Sequence, residues 1–79
     1  MGVKCLPLDS GRRLVRVFES FGWTLRRSQR NHLILTNPTV ANVVISIPDH
    51  REVDRKLLKA EIRKAGLTDE EFRSRYDEL

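Results

Sequence analysis

The sequence predicts a small α+β sandwich with element order α-β-β-β-α-α and its helices on one face of an antiparallel sheet. Three observations predict it. Apolar residues first recur at helical spacing. Three short β-prone runs then follow one another between turn signals, and helical spacing returns before the end. With 79 residues the chain has room for one domain, 1–79, and buries about 60–65% of its unfolded surface.

Leu14, Val17, Phe18 and Phe21 stand at i, i+3, i+4 and i+7 and mark the core face of a helix from about Gly11 to Phe21. Ser10 or Asp9 is its expected N-cap and Gly22 its C′ residue. Arg12 and Arg16 sit one turn apart on the other side. The first strand is expected at Trp23–Arg27, with Trp23 in the core, and the polar Ser28-Gln29-Arg30-Asn31 closes it. The second spans His32–Thr36 and ends at the Asn37-Pro38 turn signal. The third spans Val43–Ile47 and stops at Pro48, which has no N–H for a ladder. Alternation sends Leu33, Leu35, Val43, Ile45 and Ile47 inward. It leaves His32, Ile34, Thr36, Val44 and Ser46 on the other face, open to solvent or a partner.

A fourth segment, Arg55–Ala65, lines Leu58, Ile62 and Ala65 on one helical face and Lys56, Lys59 and Arg63 on another, and Gly66 ends it. Thr68-Asp69-Glu70-Glu71 is a capping box, with Leu67 and Phe72 placed as a hydrophobic staple. The last helix is expected to bury Phe72, with Tyr76 and Leu79 as further candidates. The acidic tail suits a helix start and requires no special partner.

Composition excludes several classes. A hydrophobic share of 39% beside 33% charged residues is too apolar for disorder. No apolar run reaches the roughly 18 residues of a membrane span, and the N-terminus lacks the apolar core of a secretory signal. One cysteine, Cys5, makes no internal disulfide, and no Cys/His or carboxylate cluster has metal-ligand spacing. These point to a cytoplasmic protein without metal or cofactor. The net charge of +4 is uneven: residues 1–64 hold 13 basic and 6 acidic side chains, residues 65–79 hold 2 and 5. An arginine-rich body suits a polyanion such as nucleic acid, because guanidinium forks match phosphate. A merely solvated charged surface is the plainer alternative.

The chemistry available is narrow. There is no nucleophile elbow or glycine-rich phosphate loop. His32 opens the second strand on the open face, just after Arg26, Arg27 and Arg30. Such a histidine can move protons while the arginines hold phosphate. The plainer alternative is an ordinary strand histidine. His50 follows Pro48-Asp49, where a loop residue bonded to backbone is the simpler reading and an acid/base partner the sharper one. The Lys56, Lys59, Arg63 stripe suits an RNA backbone or is a solvated helix face. The α-β-β-β-α order is also that of double-stranded-RNA-binding domains.

Four segments together resemble the HicA (YcfA-like) toxins. They are Leu6-Pro7-Leu8-Asp9-Ser10-Gly11-Arg12 with Phe21-Gly22-Trp23, then Arg26 to Leu35, then Ile47-Pro48-Asp49-His50, and then Leu57 to Thr68. The set covers nearly the whole chain in order. It differs where the family usually has glycine two residues before its histidine, here Arg30, and where Gly-Thr often opens the second helix, here Lys56-Leu57. The resemblance implies a double-stranded-RNA-binding-like fold with an extra C-terminal helix. It also implies an mRNA interferase of a type II toxin–antitoxin system, an endoribonuclease that needs no metal. It maps the essential histidine to His32 and implies a HicB-like antitoxin as partner. A non-catalytic RNA-binding module, or a degenerate toxin acting through protein contacts, remains the alternative.

Overall fold

The computed structural model describes residues 5–79, so the N-terminal residues expected to lack a secretory signal lie partly outside it. Helix α1 (Gly11–Ser20) leads into strands β1 (Thr24–Gln29), β2 (His32–Asn37) and β3 (Val40–Pro48), then helices α2 (Arg55–Lys64) and α3 (Asp69–Glu78). This is the predicted order and class, including the extra C-terminal helix. The sheet is antiparallel with strand order β1-β2-β3. α1 packs on all three strands, α2 lies along β3, and α3 lies on α1 and α2. No helix among the described residues is long and apolar enough to cross a membrane.

The helical stripes become core as their spacing requires, except that Phe21 and Ala65, at the C-caps of their helices, are only half-buried. Leu14, Val17 and Phe18 of α1, Leu58 and Ile62 of α2, and Phe72 of α3 are fully buried with Leu35, Ile45 and Ile47 of the sheet. Trp23 joins them. The rings of Phe18 and Phe72 meet at 5.0 Å and 55°, a tilted contact worth about 0.5–1.5 kcal/mol beyond its area. Ser10, not Asp9, caps α1: its Oγ accepts from the Arg13 N–H. Asp9 instead accepts from the Tyr76 hydroxyl at 2.6 Å, which ties the entry to α1 to the last helix. That bond holds the Asp9 carboxyl below the usual carboxylate range. The same bond pushes the Tyr76 phenol up. The capping box is present in full: Glu71 N–H donates to Thr68 Oγ1 and Thr68 N–H to Glu71 Oε1. Of the further candidates for burial in α3, Tyr76 is half-buried and Leu79 is 51% exposed. Leu79 lies one residue past the end of α3, where no layer covers it.

The strands keep the predicted faces but not the predicted ends. β1 runs on through Ser28 and Gln29 because the link to β2 is only Arg30-Asn31. Both of these residues have positive φ, 50° and 62°. Paired left-handed residues make the type I′ hairpin turn, whose twist matches that of the strands. β3 starts at Val40, not Val43. Its register slips between Asn37↔Val40 and Thr36↔Val44, with Asn42 at φ 66°. The left-handed Asn42 interrupts the alternation that would have revealed these residues as strand. β1 has its own irregularity: Leu25 pairs with Leu35 and Arg27 with Ile34, which leaves Arg26 as an extra residue. On the outer edge of β3, the Ser46 N–H donates to the buried Glu61 carboxylate of α2 at 2.9 Å.

Candidate active site

The open sheet face is built of three registered rows. Antiparallel partners share a face, so the pairings give Gln29–His32–Pro48 at one end, Arg27–Ile34–Ser46 in the middle and Thr24–Thr36–Val44 at the other. His32 stands in the end row, exposed, as the first residue after the hairpin turn. No Asp or Glu occurs between Glu19 and Asp49, so the charged side chains of the sheet strands are arginines, Arg26 and Arg27.

The turn sets the orientation of His32. Its Nδ1 lies 3.0 Å from the Arg30 carbonyl oxygen. A carbonyl only accepts, so in this contact Nδ1 carries the proton, and the lone pair of the neutral ring falls on Nε2. The turn that brings the Arg30 carbonyl there requires positive φ at Arg30, the position where the resembled family usually has glycine. The arginine takes the backbone conformation natural to glycine.

A second strap closes the same end. The Asp49 N–H donates to the Asn31 carbonyl at 2.7 Å, tying the segment after β3 to the hairpin turn. The Gly11 N–H donates to the His50 carbonyl at 2.9 Å. Arg12 grips Asp49 through two nitrogens at 3.0 and 3.3 Å. A Cβ on Gly11 would stand 2.0 Å from the Pro48 carbonyl oxygen, so only glycine lets the start of α1 seat here. The start of α1, the hairpin turn and the Pro48–His50 segment therefore converge at the His32 end. His50 lies two residues beyond the strand partner of His32 and is exposed; its carbonyl is the group engaged.

The predicted basic residues divide into two sets. Arg26, Arg27 and Arg30 are exposed around the β1–β2 ladder. The Nε of Arg27 donates to Gln29 Oε1 at 3.1 Å, beside His32 in the register. Lys56, Lys59 and Arg63 are exposed on α2, but Lys59 pairs with Asp69 of α3 at 3.3 Å. Glu61 is two residues on, about 200° around the helix, and it is the residue that reaches β3. The stripe thus lies on the α3 side of α2 and not on the His32 side. Lys64 lies nearer the sheet, paired with Glu61 at 2.9 Å. Sequence reasoning passed over Gln29, Arg12 and Asp49. Gln29 was hidden by reading it as loop. The Arg12–Asp49 pair joins residues 37 apart, and no local pattern signals that. Among the described residues, no group of His, Cys, Asp and Glu is arranged to hold a metal.

A search of curated proteins finds no match. A family model for the HicA toxin of bacterial toxin–antitoxin systems matches residues 11–67. That stretch runs from the glycine seated against Pro48 through both histidines to the end of α2, and its family name implies a cognate antitoxin. The chain belongs to the HicA toxin family.

Proposed function

We propose that the protein is the toxin of a type II toxin–antitoxin system and acts as an endoribonuclease on mRNA in the cytoplasm, with His32 as general base. One observation carries this reading. The Nδ1–H bond to the Arg30 carbonyl fixes the tautomer and presents a basic Nε2 on an open, acid-free face. Nε2 takes the proton of an RNA 2′-hydroxyl, and the 2′-oxygen attacks the adjacent phosphorus. The bond from phosphorus to the 5′-oxygen breaks, and that oxygen takes a proton, with His50 the candidate donor. The products are a 2′,3′-cyclic phosphate and a 5′-hydroxyl end, formed without a metal. Arg26, Arg27 and Arg30 stabilise charge on the phosphoryl oxygens. Lys56, Lys59 and Arg63 hold a more distant part of the backbone without reading sequence. A HicB-like antitoxin silences the toxin by covering this face.

The test is cleavage of a single-stranded RNA by the purified chain and by His32→Ala, with the new ends mapped and chelator present. Wild type is expected to leave cyclic-phosphate ends. Loss of a positioned base lowers the rate about 10²–10⁴-fold. Equal rates for the two proteins, or 3′-hydroxyl ends, would sink the mechanism. RNA retention without cleavage by either protein would favour the binding module.

A further inference from the structure

Both neighbours of β2 are irregular at the end remote from His32. β1 carries the extra Arg26, and β3 carries unpaired residues around the left-handed Asn42. The two irregularities flank a shallow groove of about 380 Å³ beside the Thr24–Thr36–Val44 row. Bulges re-aim side chains and cluster near functional sites. Asparagine is among the few non-glycine residues that take the left-handed region readily, so Asn42 at φ 66° sets the irregularity of β3 at little strain.

The lining has the chemistry of a nucleotide. Arg26 supplies the cation, and no carboxylate lines the groove. Thr24, Thr36 and Asn42 offer hydroxyls and an amide, groups that pair with the edge of a base. Val40 and Val44 offer an aliphatic surface, and Val44 is exposed by 46%. The groove lies four residues along β2 from His32, about 13 Å at the rise of a strand. A single strand reacting at His32 and following the sheet would therefore place a flanking nucleotide here, not the one that is cut.

We propose that this groove is a base-reading subsite for a flanking nucleotide of single-stranded RNA, and that it gives the toxin a sequence preference that His32 and the arginines cannot. The proposal rests on RNA as the ligand, as argued above, but not on cleavage. The test uses the full chain carrying His32→Ala, titrated by NMR with short single-stranded RNA homopolymers of each base. The backbone amides of Thr24, Thr36, Asn42 and Val44 are expected to shift, and one base is expected to bind best. Thr36→Val keeps the side-chain shape, and Asn42→Gly keeps the left-handed backbone. Each is expected to weaken the preferred homopolymer about tenfold, the effect of one lost hydrogen bond, while leaving retention by polyphosphate unchanged. Shifts confined to the His32 end, or variants that bind all four homopolymers as before, would overturn the subsite. Groove shifts together with a wild-type chain that cuts no RNA would overturn the catalytic reading and leave the subsite standing.

Discussion

In the helical layer, four arginine side chains, those of Arg13, Arg55, Arg73 and Arg75, end on atoms of the chain itself. Arg13 donates to the Leu79 carbonyl at 2.9 Å, Arg55 to that of Leu6 at 2.6 Å and Arg73 to that of Cys5 at 2.8 Å. Arg75 donates to the Ser20 carbonyl at 2.9 Å and lies 4.3 Å over the Phe21 ring. In the sheet, Arg26 and Arg30 have no side-chain partner among the described residues, and Arg27 has only Gln29. One residue type thus serves as internal fastening at these four helical positions and as unspent charge on the sheet, while Arg16 and Arg63 of the helices are, among the described residues, unspent as well. A net charge counts both alike, although only the second kind remains for a polyanion. The basic excess of residues 1–64 therefore overstates the charge that RNA would meet, and its position on the acid-free sheet matters more than its size.

The largest expected effect breaks the fastened side alone. Phe72→Ala empties a fully buried site against Phe18 and should cost about 3–5 kcal/mol in urea unfolding. A domain of this size has only about 4–12 kcal/mol in total, so the substitution removes at least about a quarter of it. A loss under about 1 kcal/mol would show that α3 is an accessory to the core and not part of it.

The contrast itself is tested by exchanging charge for amide on each side. Arg75→Gln removes the links to Ser20 and Phe21 and should cost about 1 kcal/mol of stability, with RNA retention unchanged. Arg27→Gln should leave stability within about 0.5 kcal/mol. It should weaken RNA retention and lower the slope of log K against log salt by about 0.7–1. If both variants change the salt slope equally, the two sets of arginines are not distinct.

Much of this molecule was legible in the sequence, and what was missed follows one rule. The Leu14–Phe21 stripe, the Thr68–Glu71 capping box and the faces of β2 are local periodicities, and they came out as read except that Phe21, just past the end of α1, is only half-buried. His32 was placed on the open face because alternation needs only its neighbours. The misses lie where a distant contact decides. Gly11 looks like a poor helix residue until Pro48 stands against it. Arg12 looks like a solvated charge until Asp49 arrives from the far end of β3. The early start of β3 was hidden by a left-handed asparagine. The Lys56–Arg63 stripe was correctly periodic, but periodicity does not say which neighbour a helix flank faces.

A smaller effect probes the fastening of α3 by pH. Asp9 has its folded pKa lowered by the Tyr76 hydroxyl. Its contribution is whole above the unfolded value of about 4 and is lost as pH falls through the folded one. Tyr76 has its pKa raised, so its contribution is whole below about 10 and is lost as pH rises through the folded value. Tyr76→Phe should cost about 1 kcal/mol near neutrality and flatten both limbs of the stability profile. An acid limb as steep as in wild type would assign the acid sensitivity to another carboxylate.

The smallest effect concerns Arg30, where the two sides of the comparison meet in one residue. Its backbone serves the fold, through a left-handed turn and a carbonyl that orients His32, while its side chain belongs to the unspent charge. Arg30→Gly separates them. Relief of a left-handed non-glycine residue is worth about 1–2 kcal/mol, and the extra freedom of glycine in the unfolded chain takes back about 0.5–1. The variant should therefore be no less stable than wild type, with a net gain of about 0–1.5 kcal/mol. Arg30→Gln keeps the strain and removes the charge. If the side chain helps hold phosphate, both variants should lose RNA retention to the same degree although only one gains stability. If Arg30→Gly retains RNA as well as wild type, the arginine is only a tolerated occupant of a turn that glycine would suit better, and the charge that acts at His32 is that of Arg26 and Arg27.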